Sequence, residues 1–174
     1  ATITYMTRKE GVLGGTIWSI LADSKGNTWF GTLKKGLCKY DGEQFTYRPL
    51  SDFLTDPTDR GHFLKNDEKG NLWLTSIRGD LVQITKDGVI RSFRTELIKA
   101  EETSGIFSIA GDGNQVWFGS KSGKILAYDY LTDGLKSFAT LPVVNQAPQA
   151  IKKLVSGGDG QFWMETSKAK IYWP

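Results

Sequence analysis

The chain has 174 residues, 39% of them hydrophobic, with six tryptophans, twenty glycines and a net charge of +3. That length fits one domain able to bury most of its apolar surface, and the composition is that of a globular protein, neither disordered nor fibrous. The charge is too small to argue for nucleic acid, the single cysteine excludes an internal disulfide and a cysteine-based zinc site, and no stretch approaches the ~18 apolar residues of a membrane-spanning helix.

The first element in chain order is Ala1–Thr7, ATITYMT, which reads as a lone strand with no turn signal before it. It carries no signal-peptide pattern and opens on Ala1 rather than Met, so removal of an upstream segment is expected. Ile17–Tyr47 follows as four short strands separated by Asp/Gly/Asn turns, with no helical period in it. The same pattern then recurs. Trp29, Trp73, Trp117 and Trp163 are separated by 44, 44 and 46 residues, each after a turn: DSKGNTW, DEKGNLW, GDGNQVW and GGDGQFW. Beyond each Trp lie a second turn and a third strand, with Leu37, Leu81, Ile125 and Ile171 expected in one column and Cys38, Val82, Leu126 and Tyr172 in the next. Cys38 therefore reads as a buried apolar thiol. Asp41-Gly42, Asp87-Gly88 and Asp133-Gly134 mark a third turn, and Phe45, Phe93 and Phe138 are placed in a fourth strand.

Four strands per unit at this period predict an all-β propeller with blades at 17–47, 62–95, 106–140 and 151–174. Each repeated Trp is expected to fill the wedge between neighbouring blades. The last unit stops in its third strand, and residues 1–7 are expected to supply the missing one; Ile3-Thr4-Tyr5 echoes Phe45-Thr46-Tyr47. The ring of four would then be closed without an exposed sheet edge. The alternative is half of an eight-bladed ring made by two copies.

These residues resemble the two-component regulator propeller repeat, whose blade carries Asp-x-x-Gly-x-x-Trp, Gly-Thr, then Gly-Leu and an aromatic. Asp23, Gly26, Trp29, Gly31-Thr32, Gly36-Leu37 and Tyr40 match closely. The second unit has Thr75-Ser76 for Gly-Thr, the third keeps Gly119-Ser120, and the fourth places Glu165 where Gly is usual. The resemblance implies a periplasmic or extracellular sensing module, in hybrid sensor proteins often reading glycan fragments.

Chemistry-bearing constellations are sparse. His62 is the only histidine, so a multi-histidine metal site is impossible, and nothing points to a cofactor. GDGN at 111–114 and GGDG at 157–160 lack the acidic run calcium needs and read as tight turns. The first-to-second and third-to-fourth strand turns form an acid-rich face. The second-to-third turns, on the opposite face, hold Lys34, Lys35, Arg78, Lys121, Lys124, Lys168 and Lys170 against Asp80. Asp-Gly turns explain much of the acidic face, whereas no turn chemistry demands the basic one, which would concentrate an anion. The longest connections, 7–16, 49–61, 95–105 and 141–150, lie on that basic face and offer Phe53 and Arg60.

The expectation is thus a non-catalytic propeller binding a glycan or other anion through Lys34, Lys35, Arg60, His62, Arg78, Lys121 and Lys124. Glu165 stands beside them as a paired acid or a ligand contact. A polysaccharide lyase or hydrolase built on His62 and Glu165 is the first rival, and a protein-interaction ring, monomeric or homodimeric, the second.

Overall fold

A computed structural model of the chain describes all residues except 1–10, 12–15, 33–35, 53, 55–62, 77, 103, 146, 159–160 and 174. The strand expected at residues 1–7, and with it the closing of the ring, lies outside the described residues. Within them are four antiparallel sheets, each a meander in sequence order. Blade 1 comprises β1 (Ile17–Ala22), β2 (Thr28–Thr32), β3 (Gly36–Tyr40) and β4 (Phe45–Arg48). Blade 2 comprises β5 (Phe63–Asn66), β6 (Leu72–Thr75), β7 (Leu81–Ile84) and β8 (Ile90–Ser92). Blade 3 comprises β9 (Ile106–Asp112), β10 (Gln115–Ser120), β11 (Lys124–Asp129) and β12 (Gly134–Thr140). Blade 4 comprises β13 (Ile151–Gly158), β14 (Gln161–Thr166) and β15 (Lys170–Trp173).

The repeated Asp and Trp belong to one device. Asp23 Oδ1 accepts from the Lys25 and Asn27 amides, both at 2.9 Å, and Oδ2 accepts from Asn27 Nδ2 and from Trp29 Nε1 at 2.8 Å. Asp67 repeats this with Lys69, Asn71 and Trp73, whose Nε1 donates over 2.7 Å. A carboxylate six residues before the ring thus closes the turn and anchors the indole, which buries an N–H with its acceptor. The third turn is a residue shorter: Asp112 pairs with Gln115, whereas Asp23 pairs across to Asn27. Trp117 Nε1 is accordingly buried without a partner.

Three apolar clusters fill the blade joints. Leu21, Trp29 and Leu37 meet Leu72, Leu74, Val82 and Ile84 between blades 1 and 2. Trp73, Leu81 and Phe93 meet Phe118, Leu126 and Tyr128 between blades 2 and 3. Trp117 and Ile125 meet Ile151, Phe162 and Met164 between blades 3 and 4. The Gly of the Gly-Thr pair has a packing reason at the last joint. A Cβ on Gly119 would lie 2.5 Å from Ile151 Cγ2. Gly36, with φ +93°, sits where a Cβ would fall 2.0 Å from the Arg48 carbonyl oxygen, so no side chain is tolerated there.

Three expectations need correction. Ile171 pairs with Met164, in the column of Cys38, Val82 and Leu126, while Lys170 takes the column of Leu37, Leu81 and Ile125. The cause is a shorter hairpin: the Thr166 amide donates to the Ala169 carbonyl at 2.8 Å, leaving two residues between them where Thr32 pairs with Gly36 across three. Phe93 lies just beyond β8, wholly buried, with its amide on the Leu81 carbonyl. The segment after it, read as loop, contains the helix α1 (Arg94–Lys99), with Glu96 in its first turn, Lys99 in its last and Leu97 buried in the joint. Cys38 is 2% exposed, as an apolar thiol should be, and burial pushes its pKa up.

The turn carboxylates make stability pH-dependent. Burial works against ionisation of Asp23 and Glu102, but hydrogen bonds to Asp23 from Asn27 and Trp29, and to Glu102 from Ser104 and Ser122, prevail and lower both pKa values. Asp41, Asp129 and Asp133 are also lowered, chiefly by hydrogen bonds from the Gln44 amide, the Leu131 amide and the Tyr128 hydroxyl. A folded value below the unfolded one stabilises the fold above the unfolded pKa and loses that contribution as pH falls through the folded value. Thermal denaturation should therefore give a Tm that falls steadily below the ordinary values of 4.5 for Glu and 3.8 for Asp. A Tm unchanged between pH 7 and pH 3 would contradict this.

Candidate ligand cleft

A cleft of about 300 Å³ opens at the joint between blades 1 and 2, on the face of the first-to-second and third-to-fourth strand turns. Its first wall is a cross-strand row, Trp29 on β2 paired with Lys39 on β3 and Lys39 with Thr46 on β4, with Arg48 further along β4. The second wall is the matching row of blade 2, Leu72, Ile84 and Ile90. The alternation of each strand sends these residues into the joint. Lys86 and Asp87 rim the mouth, and Lys25 Nζ bridges the blades by donating to the Lys86 carbonyl at 2.6 Å.

Charge within the cleft is unbalanced. Lys25, Lys39, Arg48 and Lys86 face Asp23 and Asp87, and the Asp23 carboxylate is already taken by its own turn and by Trp29. One wall is thus cationic and aromatic while the other is aliphatic. A flat molecule with an anionic edge and an apolar face suits both.

The next joint shows why this cleft is distinctive. By strand register Tyr128 of blade 3 corresponds to Ile84 of blade 2, so Tyr130 holds the position of Lys86. Tyr130 fills the equivalent slot. Its hydroxyl donates to Asp67 Oδ2 and accepts from Asn71 Nδ2 at 2.7 Å, and its ring lies under the Lys69 ammonium, 4.4 Å from the ring centre. Burial and then Asp67 push its pKa well above the ordinary tyrosine value, so it remains a donor. Nearby, burial and the Asp133 hydrogen bond raise Tyr128 to about 12.

The basic face is only partly within the described residues. Lys34, Lys35, Arg60 and His62 lie outside them, so the His62–Glu165 pairing required of an enzyme does too. Arg78 and Lys121 are exposed. Lys124 is engaged in structure, its Nζ donating to the carbonyls of Ala100 at 2.6 Å and Glu101 at 3.0 Å beyond α1. The same turn is held by buried Glu102, which accepts from the Ser104 amide at 2.7 Å and from the Ser122 hydroxyl. Glu165 is exposed on β14, and its neighbours across the strands are Lys153 and Lys170. Among the described residues, no group of three His, Cys, Asp or Glu side chains is placed to hold a metal ion.

Lys39, Arg48 and Lys86 were not singled out by the sequence reading, which counted charge by turns. A signal existed. In the column opposite each repeated Trp stand Lys39, Gln83, Ala127 and Tyr172, so Lys39 is the one charged member of a row that faces a joint.

Three consecutive four-strand meanders and a fourth of three strands among the described residues, joined by apolar wedges, define the class, a β-propeller. Residues 11–34, which include β1 and β2 of the first blade, match the family model described as "Two component regulator propeller". No curated protein matches the chain. It is similar to the extracellular domain of the putative one component system BT4673 from B. thetaiotaomicron, at 18% identity and a TM-score of 0.69, over 94% of this chain and 20% of that one. It is also similar to the extracellular domain of the putative hybrid two component system BT3049 of the same organism, at 16% identity and a TM-score of 0.71, over 98% and 26%. A third likeness is to the computationally designed Ika4 protein, at 14% identity and a TM-score of 0.59, over 94% and 93%. The chain thus spans about a fifth to a quarter of the two bacterial domains. Among the described residues no helix is long and apolar enough to cross a membrane.

Proposed function

We propose that this chain is a non-catalytic, sensor-type binding domain that takes an acidic saccharide in the cleft between blades 1 and 2. The observation that carries the proposal is the pairing of the Trp29–Lys39–Thr46 row and Arg48 with the aliphatic row of Leu72, Ile84 and Ile90. A carboxylated pyranose offers what these walls ask for, an anionic edge and an apolar face. The extracellular domains that share its fold favour an exported setting, where such sugars are met. The second surface for an anion is the opposite face, where Arg78 and Lys121 are exposed.

Isothermal titration of the chain with trigalacturonate and with neutral maltotriose tests this reading. Binding of the acidic sugar, weakened by salt, with no binding of the neutral one is the expected result. Equal affinity for both, or binding of neither, would refute the acidic-saccharide assignment.

A further inference from the structure

The joint between blades 2 and 3 shows what such a slot holds when it is filled. Asp67 Oδ2 accepts three hydrogen bonds there, from Asn71 Nδ2 at 3.0 Å, from Trp73 Nε1 at 2.7 Å and from the Tyr130 hydroxyl. Asn71 Nδ2 directs one hydrogen at Asp67 Oδ2 and the other at the Tyr130 oxygen. One hydroxyl thus donates to the carboxylate and accepts from the amide. With it in place, Asp67 and Asn71 are 9% and 7% exposed.

The same pair stands at the cleft between blades 1 and 2. Asp23 Oδ2 accepts from Asn27 Nδ2 and from Trp29 Nε1, both at 2.8 Å. Lys86 holds the place that Tyr130 has in the next blade, and among the described residues no group supplies the third bond. Asp23 and Asn27 are half-buried and line the cleft beside Trp29 and Lys39. Their remaining amide hydrogen and carboxylate lone pair are satisfied together by a single group that both donates and accepts. A hydroxyl does this, whereas a carboxylate or an apolar carbon does not.

We infer that Asp23 and Asn27 form a hydroxyl subsite, where the ligand of the cleft places one hydroxyl as blade 3 places the Tyr130 hydroxyl on Asp67 and Asn71. The inference rests on the acidic-saccharide reading of the cleft and adds selection to it. Lys39, Arg48 and Lys86 attract any carboxylate, while Asp23 and Asn27 choose one that carries a hydroxyl. An acid without hydroxyls would cover both groups and leave them unpaired, which is how a polar site rejects such an analogue.

Two measurements test this, the first without a ligand. Lys86→Tyr supplies the residue of the filled joint and Lys86→Phe supplies its ring alone. Lys86→Tyr should melt roughly 2–4 °C above Lys86→Phe. Equal Tm values would overturn the subsite whatever the cleft binds. The second measurement is an NMR titration with galacturonate and with tetrahydropyran-2-carboxylate, which keeps the ring and the acid but has no hydroxyl. Wild type should favour galacturonate by about 10-fold or more. Asn27→Ala should bring galacturonate down to the affinity of the analogue and leave that of the analogue unchanged, the sign that the cleft is intact. Equal wild-type affinities, or a preference that survives Asn27→Ala, would overturn the subsite and leave the acidic cleft standing. Binding of neither acid would overturn both.

Discussion

Asp67→Ala should lower the stability of the chain by about 3–5 kcal/mol, as the substitution leaves several buried donors without their acceptor. Asp67 is 9% exposed and receives the Lys69 and Asn71 amides, Asn71 Nδ2, Trp73 Nε1 and the Tyr130 hydroxyl. Each orphaned buried group costs about 1–3 kcal/mol, a large part of the ~5–15 kcal/mol by which such domains are stable. In a chain of this length the Tm should fall by roughly 10 °C. Trp73 is wholly buried among Phe93, Phe118 and Tyr128, whose ring centres lie 5.4, 5.0 and 5.2 Å away. The repeated tryptophans should consequently differ. Trp73→Phe removes a donor from a buried carboxylate, whereas Trp117→Phe removes an N–H that has no partner. Chemical denaturation should show the second costing less than the first. Equal losses would mean that ring volume alone, not the Asp–Trp bond, decides stability.

The architecture was legible because each level of the sequence agrees with it: the Trp spacing, the turn residues and the strand alternation all repeat together. What could not be read came from single-residue changes in turn length. The hairpin after Thr166 moves Ile171 by one column, and the turn before Gln115 deprives Trp117 of its acceptor. Helix α1 was hidden because six residues are too few for periodicity to show, and its support is tertiary, through Leu97. The cleft was hidden for another reason. Its cations come from the first-to-second strand turn, β3 and β4 of blade 1 and the third-to-fourth strand turn of blade 2, and the pairing of blade faces, not proximity in sequence, brings them together.

Lys39, Arg48 and Lys86 lie on two blades yet line one cleft, so their joint reversal should act on binding rather than folding. Lys39 is half-buried, and Arg48 and Lys86 are exposed, so the fold makes little use of their charges. A charge-assisted hydrogen bond to a bound carboxylate contributes about 1.5–3 kcal/mol. Losing two of them corresponds to a fall in affinity of roughly 100-fold or more. Lys39→Glu combined with Arg48→Glu and Lys86→Glu should therefore abolish measurable trigalacturonate binding with the Tm nearly unchanged.

The direct test of the cleft is this titration run beside its mirror on the opposite face. Arg78→Glu combined with Lys121→Glu changes comparable charge at exposed positions remote from Trp29 and Lys39. The account predicts that the cleft variant loses trigalacturonate and the opposite-face variant keeps it. Retained binding in the first with loss in the second would contradict it.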